Sequence, residues 1–215
     1  MTVSTEMKKR ETSSPPSGGA SRKIQMVIAA EVLLRNGGLR SVTTRAIAQA
    51  VPCSEGAIYV HFPDRLELIL AVLQRCLPEM LVPLHALDKK VGVLTPRQNL
   101  RAAMAGLMRF HERVAPMLCA LFSERELLER FRKSLDKAGK GPHRGISTLA
   151  NYIVQEQKLE RINADVDANT AATILMASSF FHIFTSQLLG SASHLDVKQL
   201  IDLAIKHSDT ARPSS

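Results

Sequence analysis

Cysteine is scarce in this chain. Cys53, Cys76 and Cys119 are odd in number, with neither the close pairing of a zinc site nor the density of a secreted disulfide framework. A reducing, cytoplasmic setting is therefore expected. The first 20 residues contain no apolar core of export-signal length. No segment alternates apolar and polar residues over the length of a strand, and no repeat of fixed period recurs. Residues 168–195 lack Asp, Glu, Lys and Arg and are long enough to span a bilayer, but their apolar character is interrupted. Asn169, Thr170, Thr173, Ser178, Ser179, His182, Thr185, Ser186 and Gln187 leave Ile174–Ala177 as the longest unbroken apolar piece. That pattern predicts a buried helix of a soluble protein, with no membrane partner.

Catalytic signatures are missing as well. His111-Glu112 opens a zinc-protease pattern, yet Ala115 stands where the second histidine is required. There is no Glu-x-x-His pair for a di-iron bundle and no Cys-x-x-Cys. Gly139, Gly141 and Gly145 have neither dinucleotide-binding spacing nor a preceding strand. The expectation is a protein that is not an enzyme, with no catalytic residue, no metal and no cofactor.

The 215 residues do have 45% apolar types, enough for one or two cores, and a net charge of +8, which favours polyanionic partners. Residues 1–20 mix Ser, Pro and Gly with Lys8, Lys9 and Arg10 and predict a flexible basic arm; residues 208–215 predict a flexible tail. The rest reads as helix. From Ser21, the positions Ile24, Val27, Ile28, Val32 and Leu34 have helical spacing that Gly37 and Gly38 stop. Thr43-Thr44 supplies an N-cap for a brief second helix ended by Pro52. Ser54 caps a third, in which Ile58 and Phe62 share one face before Pro63. Asp64 and Glu67 open a fourth.

Further helices are predicted after Thr95-Pro96, from Ser123 with Glu126 as its capping partner, after a loop over 139–145, after Asp165 or Asp167, and around Val197–Ile205. The boundaries between Leu77 and Thr95, which include Pro78, Pro83 and Gly92, stay open. The fold class is all-α.

Two short helices that cross closely need a small residue at the crossing and a branched apolar one pinned beneath it. Ala48 and Ile58, ten residues apart, suit those places. The stretch Thr43-Thr44-Arg45-Ala46-Ile47-Ala48-Gln49-Ala50, then Ser54-Glu55-Gly56-Ala57-Ile58-Tyr59-Val60-His61-Phe62, resembles the DNA-binding domain of the TetR/AcrR family of transcriptional repressors. The resemblance runs over about 50 residues, from Ile24 to Val72.

It implies an N-terminal three-helix helix-turn-helix DNA-binding domain over residues 21–66 and a C-terminal helical ligand-binding and dimerisation bundle over 67–207, with a phosphate or helix-capping contact for Thr44 and a groove or phosphate contact for Arg45. Phosphate contacts are implied for Tyr59 and His61, and a thymine-methyl contact for Ala57. Thr43, Ser54, Glu55 and Gly56 complete the DNA-facing set, with Glu55 a candidate acceptor from cytosine N4. Arg65 stands where the family usually has lysine. Pro52 replaces the glycine usual in the turn; either the second helix ends early with Val51 extended, or the recognition helix is re-aimed.

In the C-terminal region, Met104, Leu107, Met108, His111, Met117, Phe122, Met176, Phe180 and His182 are candidate lining for a small apolar effector, since methionine adapts to irregular ligands. The competing reading is plain core. The long uncharged helix is apolar on two faces, and Ala177, Phe181, Phe184 and Leu188, with Val197, Leu200, Ile201 and Ala204, form a candidate homodimer interface. The leading expectation is a dimeric, ligand-responsive repressor of a pseudo-palindromic operator in double-stranded DNA. The alternatives are a helical small-molecule carrier or scavenger with a vestigial DNA-binding domain, for which Pro52 is the main support, and an architectural DNA protein without effector.

Overall fold

The computed structural model describes residues 18–190 and 195–205, with side chains from residue 21 onward. Most of the proposed basic arm and all of the C-terminal tail lie outside the described residues. Among those described, every regular element is helical: α1 Gly18–Ser41, α2 Thr44–Ala50, α3 Glu55–His61, α4 Arg65–His85, α5 Pro96–Leu121, α6 Arg125–Lys137, α7 Pro142–Lys158, α8 Ala168–Leu189 and α9 Val197–Ile205, with a 3-10 turn at Asp88–Lys90.

Helix α1 starts at Gly18, three residues before the predicted start, and its span runs to Ser41 rather than stopping at the glycines. The glycine signal still has a local meaning. Gly38 takes φ 65°, a conformation costly for residues with a Cβ, and breaks the helix there. Leu39 then turns back into the core, while the Ser41 hydroxyl lies 2.6 Å from the Leu33 carbonyl and 2.8 Å from that of Gly38.

The open segment after Leu77 is mostly helix. Helix α4 continues through Pro78 and Pro83 to His85, although each proline removes a helical N–H. At Pro83 the freed carbonyl is that of Glu79, and α5 passes close by: a Cβ on Gly106 would lie 2.3 Å from Pro83 Cγ and 2.6 Å from the Glu79 oxygen. Helix α5 opens with the predicted Thr95, whose side chain accepts from Gln98 N while the Gln98 side chain accepts from Thr95 N.

Two predicted boundaries are corrected. Ser123 does not cap α6; its hydroxyl donates to the Ala120 carbonyl at the end of α5, and Glu124 stands at the N-cap without a capping side chain. The loop over 139–145 is shorter than predicted, because α7 begins at Pro142 and buries Gly145 against Met176. Asp167, not Asp165, caps α8 by accepting from Thr170 N at 2.7 Å, and Gly190 closes it at φ 64°.

Helix α5 is the central strut, packed on α4 on one side and on α8 and α9 on the other, with α7 against α8. Helix α1 reaches across to both α4 and α5. One continuous buried core therefore runs from Met26 to Ile205, and the 66/67 domain boundary expected from sequence falls inside α4. Residues 65–90 and α8 are each long and apolar enough to cross a membrane by length and composition. Helix α8 is covered on one of its two apolar sides: the inner one (Ala168, Ala171, Ala172, Leu175, Met176, Ser179) is buried, and the outer one is exposed.

Candidate nucleic-acid interface

Helices α2 and α3 are too short to hold themselves, so caps and the crossing beneath them carry the arrangement. Thr43 Oγ1 accepts from Ala46 N at 3.1 Å, and Ser54 Oγ accepts from Ala57 N at 3.2 Å. Ile47 and Ile58 are buried where the helices cross and Ala48 is half-buried beside them. Val51 is extended (φ −121°, ψ 118°), its N–H still bonded to the Ile47 carbonyl. Of the two accommodations of Pro52 considered from sequence, the helix ends one residue early, as the residue before a proline prefers. A proline turn is thus compatible with a fully capped helix-turn-helix, which removes the main support for a vestigial domain.

The outer side of this unit presents Thr43, Arg45, Ser54, Glu55, Gly56 and Tyr59 to solvent, while Thr44, Ala57 and His61 are half-buried. Arg45 has no ion-pair partner among the described residues. Thr44 Oγ1 donates to Glu55 Oε2 at 2.6 Å, joining α2 to α3. A cleft of about 200 Å³ opens beneath Thr43, Thr44 and Tyr59, floored by Val42, Ile47, Ile58 and Phe62. Lys23 of α1 sits 5.4 Å over the Phe62 ring and braces α3 from behind. Val60, missed by the sequence reading, is 79% exposed on α3. Its signal was available: it lies two residues after the pinned Ile58 and next to Tyr59.

Arg65 is engaged within the chain. Its guanidinium donates to the Leu39 carbonyl and, at 3.0 Å, to Glu124 at the start of α6. The neighbouring Asp64, which caps α4 by accepting from Glu67 N, is paired with Arg130 of α6. Arg65 is therefore a tie between α1, α4 and α6 instead of an unengaged cation.

Residues 27–72, the segment built as α1 to the first turns of α4, match the family model described as bacterial regulatory proteins of the tetR family. Over that segment, the helix-turn-helix and the helices that flank it, the chain is similar to the TetR family. The nucleoid occlusion factor SlmA of Vibrio cholerae serotype O1 is 28% identical over 149 residues, covering 68% of this chain and 74% of SlmA. A structure described as a TetR-family transcriptional regulator from Mesorhizobium loti superposes with a TM-score of 0.66 at 15% identity, covering 88% of this chain and 95% of the other. GusR of Salmonella enterica gives 0.63 at 18% identity, covering 88% and 98%. At these identities the likeness is one of fold alone, and it covers the all-helical C-terminal region as well as the N-terminal one.

In the C-terminal bundle the candidate effector residues separate into groups. Met104, Leu107 and Met117 are fully buried, Met176 nearly so, and Met108, Phe180 and His182 are half-buried. Phe122 is 71% exposed beyond the end of α5 and does not converge with them. His111 does have company: its Nδ1 is 2.9 Å from the buried Ser179 hydroxyl, and Phe180 meets its ring edge-on at 5.5 Å. Burial pushes the His111 imidazole down to about 4, so the pair is neutral near pH 7. Ser179, absent from the candidate set, has no exposure at all.

The sequence reading also missed the ion cluster joining the DNA-binding domain to the bundle. Glu31 of α1, 5% exposed, receives Arg113 of α5 and is flanked by Arg35 and Arg75 at 3.2 and 3.3 Å; Arg113 also pairs with Glu79. The signal was a carboxylate on the apolar stripe Val27, Ala30, Leu34. Burial, with the Glu31 carboxylate second, pushes the adjacent Cys76 thiol up to about 11 and keeps it inert.

Of the candidate dimer residues, Ala177, Phe181, Phe184 and Leu188 face outward from α8. Val197 and Leu200 of α9 are half-buried, whereas Ile201 and Ala204 are buried within the chain itself. Those last two support the face from behind, and Leu203, 78% exposed, occupies the outer position instead.

Proposed function

We propose that this chain is a dimeric, ligand-responsive transcriptional repressor that places one α3 from each subunit in successive major grooves of a pseudo-palindromic operator. The observation that carries the reading is the outer side of α2 and α3: Arg45 exposed and without an ion-pair partner among the described residues, Tyr59 and Val60 exposed, above a capped and pinned crossing. Half-site centres are then about 34 to 36 Å apart, or a multiple of that. Arg45 contributes groove or phosphate contact. Tyr59, Thr43 and His61 position the domain against the backbone, and Ser54, Gly56, Ala57 and Val60 meet the groove. Arg65 serves by fixing the start of α4.

Dimerisation through the outer side of α8 supplies the two-fold symmetry. The effector is a small, apolar, uncharged molecule received between α5 and α8, where methionines can repack and His111 and Ser179 offer neutral hydrogen-bonding groups. It releases the operator only if it binds one conformer of the dimer more tightly than the other. A soluble, cytoplasmic protein without membrane contact fits this role.

Genome-wide footprinting of the purified protein yields the operator. Fluorescence anisotropy on that operator then tests the assignment of Arg45: Arg45→Ala is expected to weaken binding by about 1 to 3 kcal/mol, and unchanged affinity defeats it.

A further inference from the structure

We propose that Glu55 reads a cytosine in each operator half-site and that Thr44 is the positioning residue that aims it. The inference rests on the repressor reading above and deepens it. A threonine hydroxyl has one proton to donate, and phosphate oxygens only accept. In this chain the Thr44 proton goes to Glu55 Oε2 at 2.6 Å, so a phosphate cannot receive it without breaking that bond. The contact spans the Pro52 turn between the first residues of α2 and α3, and the buried Ile47 and Ile58 fix its spacing from below.

Glu55 is exposed, and its Oε1 has no partner among the described residues. A carboxylate facing DNA is repelled by the phosphates and is useful only against a donor. In the major groove the base donors are the amino groups of cytosine and adenine, while guanine and thymine present acceptors. Adenine also places its N7 acceptor beside the amino group, which opposes a carboxylate. Cytosine N4 therefore satisfies Oε1 best, and the other bases leave the carboxylate desolvated and unpaired.

The test is selection from a randomised duplex pool by the full-length wild type, Glu55→Ala, Glu55→Gln and Thr44→Val, each checked for an unchanged helical spectrum and melting temperature. The wild type is expected to enrich cytosine at one column of each half-site. Glu55→Ala lowers discrimination at that column by about ten- to a hundredfold and leaves the others intact. Glu55→Gln moves the same column towards adenine, because an amide both donates to N7 and accepts from N6. Thr44→Val weakens the same column with the salt dependence unchanged. If Thr44→Val instead weakens all sequences alike and flattens the salt dependence, Thr44 is a phosphate ligand and the proposal fails. A wild type that enriches no sequence overturns the repressor reading itself. An enriched operator that Glu55→Ala reads identically overturns the present inference alone.

Discussion

Arg113 on α5 holds Glu31 of α1 in a fork, with Nε and Nη2 each 2.7 Å from a carboxylate oxygen. The two residues are 82 positions apart, and the pair is the buried electrostatic contact between the DNA-binding domain and the strut of the bundle. Bidentate geometry and low exposure make it unlike a surface ion pair. Arg113→Ala removes the bidentate partner of a buried carboxylate, leaves it to the more exposed Arg35 and Arg75, and is expected to cost about 1 to 3 kcal/mol in urea unfolding. Adding Glu31→Gln to that variant is expected to recover a large part of the loss, whereas simple additivity of the two changes argues that the pair is not coupled.

Acid acts on the same bundle through His111. Burial lowers its imidazole from 6.5 to about 4, so between those values the unfolded chain takes up a proton that the folded chain refuses. Stability therefore falls as pH drops through that window and levels off below it, by on the order of 3 kcal/mol in all. His111→Asn removes this slope. Glu31 acts lower. Burial raises its carboxyl, but the Arg113 hydrogen bond and the charges of Arg113, Arg75 and Arg35 outweigh burial and leave it below 4.5, so its contribution is lost only as pH falls past that depressed value. Urea midpoints of wild type and His111→Asn measured across the window separate the two groups, and parallel profiles refute the His111 assignment.

How much of this was written in the sequence depends on the range of each interaction. Thr43, Ser54, Thr95 and Asp167 cap their helices as predicted because a cap involves residues three apart. The Ala48 and Ile58 crossing was legible for the same reason, since the turn between them is fixed. Ser123 misled because its hydroxyl had a second acceptor, the Ala120 carbonyl left over at the end of the previous helix. Pro78 and Pro83 left the boundaries after Leu77 open because only tertiary packing decides whether a helix continues through a proline. The partner of Arg65, Glu124, stands 59 positions later and left no local signal. Residues that serve through distant partners, such as Ser179, Arg113 and Glu79, carry no local pattern at all.

The crossing of α4 and α5 depends on one missing methyl group. A Cβ on Gly106 would collide with Pro83 Cγ at 2.3 Å and with the Glu79 backbone oxygen at 2.6 Å, and neither atom is the loose end of a flexible side chain. Gly106→Ala would gain about 1 kcal/mol of helix propensity in an open position. Here overpacking outweighs it, and a net loss of about 1 to 3 kcal/mol is expected from thermal unfolding. The Ala variant melting at or above wild type would mean that α4 and α5 can separate freely at this point.

The outer side of α8 carries Ile174, Ala177, Phe181, Phe184 and Leu188, at alternating intervals of three and four residues. That spacing keeps a straight seam facing a partner helix at a shallow crossing angle. Phe181 and Leu188 are 64% and 69% exposed, so nothing among the described residues covers the seam. A second copy related by a two-fold axis places seam on seam and doubles the effect of every change made in it. Phe181→Glu with Leu188→Glu puts four like charges into one such interface. Sedimentation should show the dimer weakened more than about a hundredfold in Kd, with the helical spectrum of the chain preserved because both positions are outward-facing. The same variant should lose cooperative operator binding but retain weak half-site binding. If it sediments as the wild type does, the seam lies elsewhere, and the exposed Leu203 on α9 becomes the position to change next.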